Sequence, residues 1–134
     1  MEKSYTKRFE SFSKSLSNLE LAKGQDVSNF LVLSGTIMVF NLSFDIAWKL
    51  IKDVLKTDYG IIDFPSGSPK ETLKKAESVG LINNEIWLDM LDDRNELTHD
   101  YDYDIAIEKY NRIIDDYLPI LVSFKNLILS KISI

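Results

Sequence analysis

The chain has 134 residues, with 16 Lys plus Arg against 21 Asp plus Glu, one His and no Cys, and a formal net charge of −5. That length suits one domain, spanning 1–134, and 45% hydrophobic with 28% charged residues fits neither a disordered chain nor a membrane protein. Five Gly and three Pro are too few for the turns of an all-β fold, and without Cys there are no disulfides, thiolate nucleophiles or thiolate metal ligands.

Residues 1–10 carry charge at Glu2, Lys3, Lys7, Arg8 and Glu10 and have no apolar run. No secretory signal is expected there, and the cytoplasm is the expected location. Phe9, Phe12, Leu16 and Leu19 stand at helical spacing, which predicts a first helix from after Ser4 to Lys23 with Gly24 as its stop. Asp26 or Ser28 is the expected cap of a second helix, which passes through Leu31, Gly35, Met38, Leu42, Ile46 and Leu50 to about Thr57 and ends at Gly60. Apolar on more than one face, it reads as the central helix of a bundle. Residues 30–50 are also long enough to span a bilayer. Ser34, Thr36, Asn41, Ser43, Asp45 and Lys49 interrupt them, however, and a carboxylate and an amide are costly in hydrocarbon. The bundle explains the pattern better, and no membrane partner is expected.

Residues 61–67 read as a loop, followed by Ser68-Pro69-Lys70-Glu71, a strong helix start. Ser68 can accept from an orphan N–H, Pro69 sits where no N–H is missed, and Glu71 can complete a capping box. This short third helix ends at Gly80. Asn83 or Asn84 caps a fourth, which holds Ile86, Trp87, Met90 and Leu91 and ends near Leu97 or Thr98. A fifth begins at 102–104 and carries the seam Tyr110, Ile113, Tyr117, Leu121, Phe124 and Ile128. Pro119 removes the bond to the Asp115 carbonyl, so a kink is expected there. Long helices with short connections give an all-α fold, an antiparallel four-helix up-and-down bundle plus one short helix.

The negative charge argues against generic nucleic-acid binding, DNA included, which rests on Lys and Arg displacing counterions from phosphates. Between Glu85 and Asp104 lie eight acids against one base, Arg94. They read as a solvated helix face, or as a surface matched to a basic partner or to cations.

Reactive residue types converge only in residues 94–101, Arg94-Asn95-Glu96-Leu97-Thr98-His99-Asp100-Tyr101. His99 is the sole imidazole, the natural group for proton transfer near neutral pH, and Arg94 can clamp a phosphate bidentately. On a continuous helix the two would lie about 140° apart. A helix ending near Leu97 lets His99 swing back, and a neighbouring subunit can supply the other half. From spacing alone, such a His reads more readily as a cap or packed residue than as a catalyst. One His among surface acids such as Asp89, Asp92 and Asp93 is too generic for a metal site, and no cofactor is expected.

Arg94, Asn95, His99 and Tyr101 fit the Arg-Asn-x-x-x-His-x-Tyr signature of the HEPN family, and the surroundings resemble its HepT branch, also called nucleotidyltransferase substrate-binding proteins. Phe44-Asp45-Ile46-Ala47-Trp48-Lys49 resembles the branch's Phe-Glu-Leu-x-Trp-Lys stretch. Ser68-Pro69-Lys70, Gly80-Leu81-Ile82 and Trp87-Leu88-Asp89-Met90-Leu91 follow in the branch's order and spacing. The resemblance implies a helical bundle like the C-terminal domain of kanamycin and other aminoglycoside nucleotidyltransferases. It also implies a homodimer in which the Arg and His of both subunits share a cleft. Many HEPN proteins are metal-independent ribonucleases acting on RNA. In the HepT branch the protein is a toxin whose partner, a small MNT-type nucleotidyltransferase, silences it by AMP transfer onto the signature tyrosine, here Tyr101. An alternative reading of the branch is a non-catalytic subunit that holds substrate for the nucleotidyltransferase.

The residue chemistry is compatible with RNA cleavage. His99 would serve as acid or base, Arg94 would hold the phosphate, and Asn95 would orient either one or cap a helix carbonyl. Glu96, Asp100 and Asp102, if close, would favour imidazolium. Asp45 reads equally as a cleft-lining carboxylate or as the partner of a buried group, and Trp48 and Trp87 read as core or interface residues. The branch often has Gln-Arg-Phe-Glu where this chain has Met38-Val39-Phe40-Asn41.

Overall fold

The computed structural model describes residues 2–99 and 101–133. Among them the elements are α1 (Thr6–Glu20), α2 (Phe30–Tyr59), α3 (Pro69–Ser78), α4 (Asn84–Glu96), α5 (Tyr103–Arg112), a π-helical turn (Ile113–Tyr117) and α6 (Leu118–Ile132), with no strand. The last three run on without a break. The fold is the expected all-α bundle.

Side-chain pairs give the directions. Lys3 with Asp58, Arg8 with Asp53 and Ser15 with Ser43 run α1 antiparallel to α2. Phe40 stacks on Tyr117 and the Lys131 ammonium sits over the Tyr59 ring, so α5 and α6 run parallel to α2. Trp87 meets Phe124 edge-on and Asp93 meets Tyr117, which sets α4 antiparallel to that long helix. The four long elements therefore go up, down, up and down, and α3 packs beside α2 and α4.

Local chemistry explains most element ends. Gly60 closes α2 at φ 67°, a left-handed conformation that a Cβ would strain. Ser68 Oγ accepts from Glu71 N at the start of α3, and Asp102 accepts from Ile105 N at the start of α5. Two caps differ from expectation. Asn29, not Asp26 or Ser28, caps α2, because the Asp26 carboxylate already accepts from the Ser28 N–H and hydroxyl in a turn of its own. Glu71 reaches past Ser68 to the N–H groups of Ser66 and Gly67, so it ties down the preceding loop. Near Pro119 the helix widens rather than simply kinking: Leu118 N donates to Ile113 O, five residues back. The π turn takes up the disruption that proline brings to the α ladder.

The expected seams of α1 and of the last long helix are buried, from Phe12, Leu16 and Leu19 to Ile113, Tyr117, Leu121 and Ile128. In α2, Leu33, Ile37, Phe40, Phe44, Ala47, Leu50 and Ile51 face the core. By length and composition α2 could cross a membrane, yet it packs against α1, α3, α4 and α5. Leu31, Met38 and Leu42 are 80%, 68% and 53% exposed. With Gly35 they form a stripe at steps of four, three and four along α2.

Candidate functional site

The last turn of α4 and the turn after it carry the candidate residues. Leu97 N bonds Asp93 O at 2.9 Å, and His99 N then bonds Glu96 O at 3.2 Å, so the α ladder tightens as the helix ends. Leu97 is buried and anchors this end, whereas His99 is exposed. The end expected near Leu97 is therefore found, and it frees the imidazole from the helix face.

Arg94 points across to α2. Its Nη2 donates to Asp45 Oδ2 at 2.9 Å, and its Nη1 donates to the Asn95 side-chain oxygen at 3.2 Å. Both members of the Arg94–Asp45 pair are 30% exposed. Asp45 Oδ1 and Arg94 Nε are nevertheless buried with no hydrogen-bond partner, as is Asn41 Oδ1 one turn earlier on α2. A donor and two acceptors thus stand unsatisfied around one half-exposed ion pair, which is uncommon in a settled interior. The structure gathers Arg94, Asn95 and Asp45 into one cluster. No hydrogen bond or ion pair among the described residues joins His99 or Tyr101 to it.

The acids expected around the imidazole are otherwise engaged. Glu96 pairs with Lys109 at 3.2 Å and Asp102 caps α5, while Asp100 lies outside the described residues. The Tyr101 ring packs against the edge of the core, and its hydroxyl makes no hydrogen bond among the described residues. Trp87 is buried and Trp48 half-buried, both packed with the core.

Sequence reasoning missed the residue beside Arg94. Asp93 is 4% exposed and accepts from Lys109 Nζ at 2.7 Å, from Arg112 Nη1 at 2.9 Å and from the Tyr117 hydroxyl. Burial alone would push its carboxyl upward, but these three donors outweigh burial and hold it below the usual carboxylate range. Burial likewise pulls Lys109 down, and the bonds to Asp93 and Glu96 raise it on balance. Tyr117 is pushed well above the usual phenol range by burial and by Asp93. A signal was present: Lys109 stands between Ala106 and Ile113 at core-facing spacing, where a cation needs a buried partner. Among the described residues no three His, Asp or Glu side chains are grouped so as to hold a metal ion.

A solved structure, the crystal structure of a protein from Thermus thermophilus, is 27% identical with a TM-score of 0.71, covering 90% of this chain and 98% of that one. No curated protein matches the chain. The family model described as nucleotidyltransferase substrate binding protein like matches residues 7–129, nearly the whole bundle and all of the Arg94, Asp45, His99 and Tyr101 positions. The chain belongs to the nucleotidyltransferase substrate-binding protein-like family.

Proposed function

We propose that this protein is a HepT-like member of the HEPN family, a metal-independent RNase toxin whose partner is a small MNT-type nucleotidyltransferase. The observation that carries this reading is the open end of α4. There a half-exposed arginine, held by Asn95 and Asp45, stands five residues before an exposed imidazole that makes no hydrogen bond or ion pair among the described residues. Arg94 would neutralise the scissile phosphate, and His99 would move a proton between oxygen and solvent. Attack of the 2′-hydroxyl then forms a cyclic phosphate as the 5′-oxygen leaves with a proton.

One chain supplies one imidazole, and base and acid roles call for two. The exposed stripe of α2 supports a homodimer as the source of the second. Leu31, Met38 and Leu42 repeat at coiled-coil spacing around Gly35, and a two-fold interface would bury the same stripe on both protomers. Tyr101, whose hydroxyl makes no hydrogen bond among the described residues, lies on the connection to α5 and is the acceptor for AMP in this reading.

A second reading, the non-catalytic substrate-binding subunit, is favoured by the Asp45 contact, since it leaves Arg94 partly neutralised, and by the family's description. Expression in a bacterial host separates the two. The RNase reading expects the intact chain to slow growth and degrade RNA, and Arg94→Ala, Arg94→Lys and His99→Ala to relieve both. Arg94→Lys is included because a point charge does not replace a planar fork. Tyr101→Phe should stay toxic when the nucleotidyltransferase encoded beside it is supplied. If wild type and His99→Ala are equally harmless and bind that nucleotidyltransferase equally well, the binding-subunit reading stands.

A further inference from the structure

A groove of about 510 Å³ runs between α1 and α2, lined by Lys7, Arg8 and Ser11 on one wall and by Leu42, Asp45 and Lys49 on the other. Asp45 joins the groove to Arg94, because its Oδ2 takes the Arg94 bond while Oδ1 stays buried and unpaired. Lys49 follows Asp45 by one helical turn, about 6 Å along α2. Arg8 is tied through Nε to Asp53 at 2.7 Å, and Lys7 and Lys49 have no ion pair among the described residues. None of the described acids between Glu85 and Asp104 lines the groove. In a chain of net charge −5, this is a cationic track ending at the Arg94 cluster.

We propose that this groove is the binding track for single-stranded RNA, with Lys7 and Lys49 holding backbone phosphates and delivering the strand to Arg94 and His99. The proposal rests on the RNase reading and names its substrate channel. It also locates the RNA contact away from the acidic surface of α4, where carboxylates would repel a polyanion. Phosphate contacts of this kind add affinity without reading sequence and weaken with salt. Leu42 is shared by the groove and the exposed stripe, so the track would flank the two-fold interface.

The test uses the purified full chain carrying His99→Ala, so that binding is read without cleavage. Fluorescence anisotropy follows a labelled mixed-sequence single-stranded RNA of twelve nucleotides across a range of salt concentrations. Adding Lys7→Glu and Lys49→Glu should weaken binding at least tenfold and lower the log–log salt slope by about 1.4, two phosphates at roughly 0.7 each. Adding Lys70→Glu and Lys74→Glu instead makes the same charge change on exposed positions of α3 and should stay within twofold. Equal weakening by both pairs, unchanged binding with the groove pair, or no binding by the parent overturns the track. Cleavage by wild type and His99→Ala is scored separately. If both cleave alike, the His99 assignment fails, whatever the groove pair does to binding.

Discussion

Asp93 and Arg94 are neighbours on α4 and face opposite circumstances. Asp93 points inward, where two cations and a phenol satisfy it and it loses nearly all contact with water. Arg94 points toward α2, where one carboxylate oxygen and one amide hold it half-exposed and its Nε has no partner. The first cluster is closed and can only stabilise: it locks α4 to α5 and to the π turn. The second is half-exposed as a pair and incompletely satisfied, with Arg94 Nε and Asp45 Oδ1 buried and unpartnered, so it adds little to the fold. Charge type alone therefore does not mark a site. What separates the two is satisfaction: the network with its bonds made holds the fold, and the under-satisfied one is the site proposed for function.

Substitutions should therefore rank differently for stability and for activity. Asp93→Ala leaves buried cations without their shared carboxylate and should destabilise the bundle by about 3–5 kcal/mol in denaturant titration. Asp93 also fixes a pH dependence. Its folded carboxyl lies below the ordinary value near 3.9, so its stabilisation is in place above that pH and drains away as pH falls through the folded value. The difference in Tm between wild type and Asp93→Asn should hold steady from pH 5 to 8 and shrink in more acidic buffer.

Tyr117→Phe removes one donor from the same carboxylate and should cost about 1.5–3 kcal/mol, a hydrogen bond to a charged group. Arg94→Ala breaks a half-exposed pair, and its cost in stability should stay at or below about 1 kcal/mol while the proposed RNA cleavage is abolished. His99→Ala should move stability by no more than about 0.5 kcal/mol, because the side chain is exposed. If Arg94→Ala destabilised as much as Asp93→Ala, the two clusters would be alike and the contrast between them would collapse.

The exposed stripe gives a further comparison, between two faces of α2. The chain has no Cys, so Met38→Cys, near the middle of the exposed stripe, creates a single thiol in each protomer. Under mild oxidation it should form a crosslinked dimer in high yield, whereas Lys74→Cys on the outer face of α3 should not. Light scattering of the wild type at micromolar concentration should give twice the chain mass. A monomer there would remove the composite site.

Much of the fold was legible because the periodic seams of α1 and of the last long helix each have one apolar face, and burial follows from that. Ser68, Asp102 and Gly60 were legible because each does one local task. The face of α2 was not, since an apolar position at helical spacing looks the same whether it meets the core or a second molecule. Leu31, Met38 and Leu42 share spacing with buried residues and differ only in what covers them. Asn29 was hidden among three competing cap residues, a choice made by the Asp26–Ser28 turn. Of the site, Arg94, Asn95 and Asp45 meet as their chemistry allows. Asp93 was lost in a run of acids that only tertiary packing sorts into buried and exposed. Pro119 announced a disruption, but the π turn that absorbs it, bringing Tyr117 to Asp93, lies beyond local rules.

The proposal that the cluster at the end of α4 cleaves RNA is put to the sharpest test by incubating purified protein with a labelled single-stranded RNA in EDTA. Wild type should cleave it and leave a 2′,3′-cyclic phosphate on the product. A loss on the order of 10² to 10⁴ in rate is expected for His99→Ala. Arg94→Ala should be similarly impaired, with both variants keeping the wild-type Tm to within a few degrees. Intact RNA with wild type, or cleavage that His99→Ala and Arg94→Ala leave unchanged, would contradict the proposal.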